Sequence, residues 1–337
     1  MYVDGGCRGL LTSVRHDAKA LEELGYDCVS VPEVAHDGFL PLPLLAEATT
    51  RVSVGTSILV AFSRTPMTTA LASWDVHSFS GGRLLLGLGS QIKPHIEKRF
   101  SMPWSAPAAR MREYVQALHA IWDCWQNGTK LDFRGDFYTH TLMTPMFEPG
   151  KLDTGPPKVV LAAVGQKMTE VAAEVADGML MHSFTTERYA REVTVPTIER
   201  ALEQHGRKRS DFEIRFSPFV VAESDPARRE AAVRAVRKQI AFYASTPAYR
   251  PVLELHGWGP LQTELQRMSK IGQWDEMGEL IDDEILSAFA IVAEPERLAA
   301  EVIARSSGMA DRVGLSVPVD ADPAWHADVI SQIKAAG

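Results

Sequence analysis

Positive charge, cysteine and long apolar runs are all scarce in this chain. Its 35 lysines and arginines are outnumbered by 43 aspartates and glutamates, which gives a formal charge of -8 over 337 residues. That sign opposes a phosphate backbone, so nucleic acid is not an expected partner. The cysteines are Cys7, Cys28 and Cys124, odd in number and far apart, which excludes a disulfide framework and a CxxC metal or redox pair. No stretch reaches the ~20 apolar residues of a membrane span. The start, Met1-Tyr2-Val3-Asp4, has neither the charged nor the apolar region of a signal peptide. The expectation is a cytoplasmic protein that engages no nucleic acid and no membrane. HExxH, Gly-x-Ser-x-Gly and clustered Cys/His sets are also missing, so no metal site is expected and hydrolysis has no signature. Redox chemistry would need a bound organic cofactor.

What is present is apolar material enough for a large core: 45% of residues are hydrophobic and 23% charged. A unit recurs in which a helical pattern ends at Gly or Asp and an apolar run follows. Examples are Gly25-Tyr26-Asp27 into Cys28-Val29-Ser30-Val31, Gly81-Gly82-Arg83 into Leu84-Leu85-Leu86, and Asp177-Gly178 into Met179-Leu180-Met181. Glycine supplies the left-handed helix cap, and a continuously apolar strand is buried on both faces. Parallel strands with helical crossovers follow from that combination.

Strands are expected near 1–4, 27–31, 52–60, 83–89, 157–164, 178–182, 212–222 and 312–317, and eight such units fit a (β/α)8 TIM barrel. The rival is a doubly wound sheet, which would carry a glycine fingerprint after its first strand. The clean GxG here is Gly87-Leu88-Gly89, with Ile92 where a third glycine belongs. Residues 128–157, after helix 4, and 246–283, after strand 7, exceed ordinary loop lengths and read as insertions in one domain spanning 1–337. The first suggests a hairpin plus an irregular arm. The second could cover the barrel mouth.

Barrel enzymes keep their chemistry just past the carboxyl ends of the strands. Of ten histidines, His36, His95 and His182 lie there; His16, His77, His119, His205 and His326 fall in helical patterns, and His140 and His256 in the insertions. After strand 2, Glu33-Val34-Ala35-His36-Asp37 concentrates one imidazole and two carboxylates. Imidazole titrates near neutrality and a neighbouring carboxylate can fix its tautomer, which makes His36 and Glu33 the acid/base candidates. The competing reading is a plain loop in which Asp37 caps the next helix. Gly55-Thr56-Ser57 puts small residues inside strand 3, as a bulge or close ligand approach would need. After strand 4 comes the polar run Gly89-Ser90-Gln91. After strand 5, Ala162-Ala163-Val164 runs into Gly165-Gln166-Lys167, where a helix start offers free N–H groups to an anion.

These stretches resemble the luciferase-like monooxygenase superfamily, in particular its deazaflavin (coenzyme F420)-dependent oxidoreductases. The resemblance runs nearly end to end, through Glu33 to Pro41, Gly55 to Ile58, Ser80 to Arg83 and on to Gln91, Met111-Arg112-Glu113-Tyr114 and Ala176-Asp177-Gly178. Met102-Pro103-Trp104 and Leu142-Met143-Thr144-Pro145 are similar to one mycobacterial and actinobacterial subgroup. The resemblance implies a bulged third strand with a cis peptide at Ser57–Ile58 against the coenzyme ring. It places the phosphate tail at the turn after strand 5, Gly165, Gln166 and Lys167, the ring or ribityl side at Ser90 and Gln91, and His182 and Ser183 on the pocket border, with Gly89, Ala162, Ala163 and Val164 also against the cofactor. Family members commonly form homodimers. Sugar-phosphate dehydrogenases of the family carry Asp-His where this chain has Glu33-Val34, and a catalytic Glu where it has Ser90, Gln91 and Ile92.

The function this resemblance implies is hydride transfer between coenzyme F420 and a small organic substrate. An FMN-dependent monooxygenase on the same scaffold is the alternative. A flavin-binding barrel without catalysis and a lyase or hydrolase barrel are rivals of other classes.

Overall fold

The structure, a computed structural model, describes residues 1–315 and 325–336. Its frame is eight parallel strands: β1 (Tyr2–Gly6), β2 (Cys28–Val31), β3 (Ser53–Thr56), β4 (Leu84–Gly89), β5 (Lys158–Ala163), β6 (Gly178–Met181), β7 (Glu213–Phe216) and β8 (Arg312–Gly314). They pair in the order β3-β2-β1-β8-β7-β6-β5-β4, and β3 pairs with β4 through Val54↔Leu84. The ring is therefore closed, a (β/α)8 barrel surrounded by helices.

Alternation along each strand decides what faces where. Val3, Val29, Val54, Leu86, Leu161, Met179, Ile214 and Val313 are buried in the layer between strands and helices. Their neighbours face the barrel axis, and toward the carboxyl ends these are small: Gly6, Ser30, Gly55, Gly87, Gly89, Ala162 and Gly314. Glycine is required at Gly87, where a Cβ would sit 1.9 Å from the Thr56 carbonyl oxygen. The outer helices close the core; in Pro107–Asn127, Met111, Tyr114, Leu118, Ile121 and Trp122 are buried, and Gly128 ends the helix at φ +69°.

Strand 1 runs on to Gly6, two residues past its expected end, and three further strand boundaries differ from the sequence reading. Strand 3 is interrupted at Ser57–Ile58 and resumes as Leu59–Val60, which pairs with Leu88 and Gly89 of β4. The run 212–222 is two strands, because Pro218 has no N–H to continue a ladder. Its second half, Phe219–Val221, leaves the barrel and pairs in parallel with Ala290–Val292, a strand too short to stand out in the sequence. Strand 8 ends at Gly314, and the expected residues 316–317 lie outside the described residues.

The insertion 128–157 carries the hairpin Phe133–Arg134 with Thr139–His140. Glu113 ties it down: the amides of Asp136, Phe137 and Tyr138 donate to its carboxylate at 2.9, 2.7 and 2.5 Å. Residues 246–283 fold as helices, including Arg250–Leu255 and Gly259–Lys270, around a second core with Phe184, Ile240, Leu253, Leu265 and Phe289. Among the described residues no helix is long and apolar enough to cross a membrane.

Candidate functional site

The carboxyl ends of β3, β4 and β5 are neighbours in the ring, and they bring three of the expected segments together. At the first, the Ser57–Ile58 peptide is cis, as the resemblance implied. The Ser57 amide donates to the Val31 carbonyl at 2.9 Å, and the Ile58 carbonyl accepts from the Glu33 amide at 3.1 Å. Ile58 lies over Gly89, where a Cβ would be 2.8 Å from its Cδ1. Ser57, Ile58, Ser90 and Ala162 are only half-buried, although they sit at strand ends in the middle of the fold. Solvent reaches them through the barrel mouth.

Beyond Gly89, Ser90 and Gln91 turn the chain. Gln91 is left-handed at φ 61°, a conformation uncommon outside glycine and frequent where a ligand or an adjoining turn imposes it. Its Oε1 accepts from the Ile92 amide at 3.1 Å. After β5, Ala162, Ala163 and Val164 lead to Gly165, which precedes the helix Gln166–Val175 in extended conformation with no side-chain cap. The amides of Met168 and Thr169 bond the Gly165 carbonyl, whereas those of Gln166 and Lys167 make no such bond. A Cβ at Gly165 would meet nothing within 4 Å, and Gln166 and Lys167 are exposed. An uncapped ten-residue helix start in open space suits a phosphate group.

The loop after β2 divides its two candidates. Glu33 is buried, and its carboxylate is fully engaged: Oε2 accepts from the Val60 amide at 2.6 Å and from Arg64 Nη1 at 2.8 Å, and Oε1 accepts from Arg64 Nη2 at 2.6 Å. With its own amide on Ile58, Glu33 straps both sides of the bulge. Asp37 caps the following turn through the Phe39 and Leu40 amides at 2.8 and 3.2 Å, and its other oxygen accepts from Arg64 at 2.5 Å. Burial by itself would lower the Arg64 pKa, but Glu33 and Asp37 hold it above its ordinary value. His36 is exposed at the loop tip, and neither carboxylate bonds its ring. Arg99 donates to the Val34 carbonyl and ties this loop to the segment after β4. His95 is exposed in the short helix Lys93–Lys98, part of that segment.

His182, after β6, is wedged between Tyr243 and Tyr249, with ring centroids 4.6 and 4.9 Å away. Its Nδ1 accepts from the Phe184 amide at 3.0 Å, which places the proton on Nε2. Burial pushes its pKa down to about 4, so the ring is neutral near neutrality. Ser183 beside it is half-buried.

Arg64 is the site residue that sequence reasoning passes over. It stands 31 positions from Glu33 and 27 from Asp37, and the β2–β3 pairing makes them partners.

The profile of the luciferase-like monooxygenase family matches residues 9–312. An uncharacterized protein of Mycobacterium tuberculosis is 53% identical over 313 residues, covering 93% of this chain and 92% of its own. A 5,10-methylenetetrahydromethanopterin reductase of Archaeoglobus fulgidus is 25% identical over 90% of this chain and 89% of its own. Among solved structures, the coenzyme F420-dependent tetrahydromethanopterin reductase of Methanopyrus kandleri superposes with TM-score 0.79 at 18% identity, over 98% of this chain and 96% of that one.

Proposed function

The chain belongs to the luciferase-like monooxygenase family, and from that premise we propose that it is an F420-dependent oxidoreductase moving a hydride between the coenzyme and a small organic substrate. The reading rests on one observation above the rest. The bulge at Ser57–Ile58 and the open helix start at Gly165 lie at the same end of β3 and β5, and the strand between them, β4, carries glycine at 87 and 89, over which only the Leu180 and Ile58 side chains reach. A flat ring with a phosphate tail fits that lining. The F420-dependent reductase that superposes on this chain supports the coenzyme's identity.

Bound there, the deazaflavin supplies a hydride donor or acceptor at C5. The chain's own residues do the rest. Ile58 and Gly89 form the seat for the ring, and the backbone N–H groups of Gln166 and Lys167, with the Lys167 ammonium, hold the phosphate. Gly89, Ser90, Gln91, Ala162 and Ala163 line the path between, and His182 and Ser183 close the side nearest β6. Proton transfer falls to His36, whose ring is free and exposed, because both oxygens of Glu33 are committed to Val60 and Arg64. Glu33 then positions the bulge.

Titration with oxidised F420 and, separately, FMN, followed by quenching of their fluorescence, tests this reading. F420 should bind at least about tenfold more tightly than FMN, a difference of ~1.4 kcal/mol. Tighter binding of FMN would favour the monooxygenase reading, and binding with no turnover for any substrate would favour a barrel without catalysis.

A further inference from the structure

Below the glycine and serine layer, charged side chains of the described residues face the barrel interior, among them Asp4 of β1, Glu213 and Arg215 of β7, and Arg312 of β8, with Lys158 of β5 reaching Glu213 at 3.5 Å from the amino end. Asp4 is fully buried, and its two oxygens accept from Arg312 at 3.0 and 2.6 Å. Arg312 Nη1 donates to Glu213 at 3.3 Å. Arg215 is left over. Its charge contact is Nε to Asp4 Oδ2 at 3.6 Å, too long for a hydrogen bond, and none of its nitrogens makes a hydrogen bond among the described residues. The side chain is 13% exposed, and its Nε is sealed from solvent. A guanidinium carries five N–H donors, and burying such a group without acceptors is costly. Native interiors supply an acceptor to groups of this kind.

Its direction is fixed by register. Arg215 pairs with Arg312 and Phe216 with Val313, so Gly314 stands one interior layer nearer the carboxyl ends. Yet a Cβ on Gly314 would fall 2.6 Å from Arg215 Nη2 and 2.9 Å from its Nε, beside Ser217 Oγ at 2.4 Å. The guanidinium therefore rises toward the barrel mouth, and glycine at 314 leaves it room. In the ring of eight, β7 is four strands from β3, so Arg215 faces the bulge across the barrel.

We propose that Arg215 is the recognition group for a carboxylate on the substrate. The inference rests on the coenzyme reading above: were a ring held at Ile58 and Gly89, a substrate meeting it inside the barrel would come within reach of the side chain that β7 presents across the ring of strands. A planar fork with free donors matches a carboxylate in two parallel bonds, and the charge on both sides strengthens them.

The test titrates benzoate and its neutral analogue benzamide into the protein with and without F420, read by calorimetry and by the coenzyme's fluorescence. Benzoate should bind at least about tenfold more tightly than benzamide, as a charge-assisted pair requires. Arg215→Gln should erase that preference and Arg215→Lys retain part of it, with the F420 dissociation constant unchanged in both. Gly314→Ala keeps the charge but crowds the guanidinium, so it too should weaken benzoate binding, and it decides the matter if Arg215→Gln does not fold. Equal binding of acid and amide to the unaltered protein, or a preference that survives in Arg215→Gln, overturns the proposal, as does a failure of benzoate to bind. If F420 itself does not bind, the coenzyme reading falls, while the titration without coenzyme still judges Arg215.

Discussion

At the scale of single residues, two histidines past the strand ends are held in opposite states. His36 is exposed and unbonded, and His36→Asn should cut turnover ~10²-fold while leaving F420 affinity within about twofold, if the imidazole does general acid/base work. Single-turnover absorbance of the coenzyme measures both; unchanged turnover removes the role. His182 is half-buried between Tyr243 and Tyr249, and its pKa is pushed down to about 4 from an ordinary value near 6.5 because that partly desolvated place disfavours the charged ring. In the unfolded chain it takes up a proton as pH falls below ~6.5, and in the folded chain only near 4, so the unfolded state binds more protons across that window. Its contribution is complete above about pH 6.5 and is lost progressively toward pH 4, to a limit on the order of 3 kcal/mol. Denaturant midpoints at pH 7 and pH 5 should differ less in His182→Gln than in the unaltered protein.

At the scale of elements, the third strand depends on a charge cluster from outside itself. Arg64 is 16% and Glu33 5% exposed, and removing one partner of such a pair strands the other charge. Arg64→Met should cost about 3 kcal/mol in urea unfolding and weaken F420 binding, and adding Glu33→Gln should recover part of the stability. Additive losses would show that the pair does not brace the bulge. Glycine at the fourth strand is equally constrained: Gly87→Ala pushes a methyl into the Thr56 carbonyl, with an expected loss of about 3 kcal/mol or failure to fold.

Strands 2, 4 and 6 were legible because each follows a Gly or Asp break and is apolar throughout. The end of strand 7 is not legible, since apolar residues flank Ser217-Pro218 on both sides of the change of sheet and that dipeptide is a weak mark of it. The charges at Glu213 and Arg215 did carry a usable signal. They alternate with Ile214 and Phe216, which pack outward, so the polar pair had to point into the barrel. The Gly165 turn and the bulge could be found from small residues at strand ends. The commitment of Glu33 could not, because its partners Val60 and Arg64 are brought to it by the β2–β3 pairing.

At the scale of the whole molecule, closing the ring turns separate chain segments into one site. β3, β4 and β5 supply a small-residue wall and a phosphate-ready helix start, and β7 and β8 face them with Arg215 and Gly314. The insertion 128–157 packs Tyr138 of its hairpin against the main barrel core, whereas the helices of 246–283 add a second core around Phe184 and Phe289. The most direct measurement of this arrangement is a crystal structure of the protein with oxidised F420. The deazaflavin should lie against Ile58 and Gly89 with its phosphate on the amides of Gln166 and Lys167. Density for the coenzyme anywhere else, or a ring that leaves Gly89 and Ala162 untouched, would contradict the account.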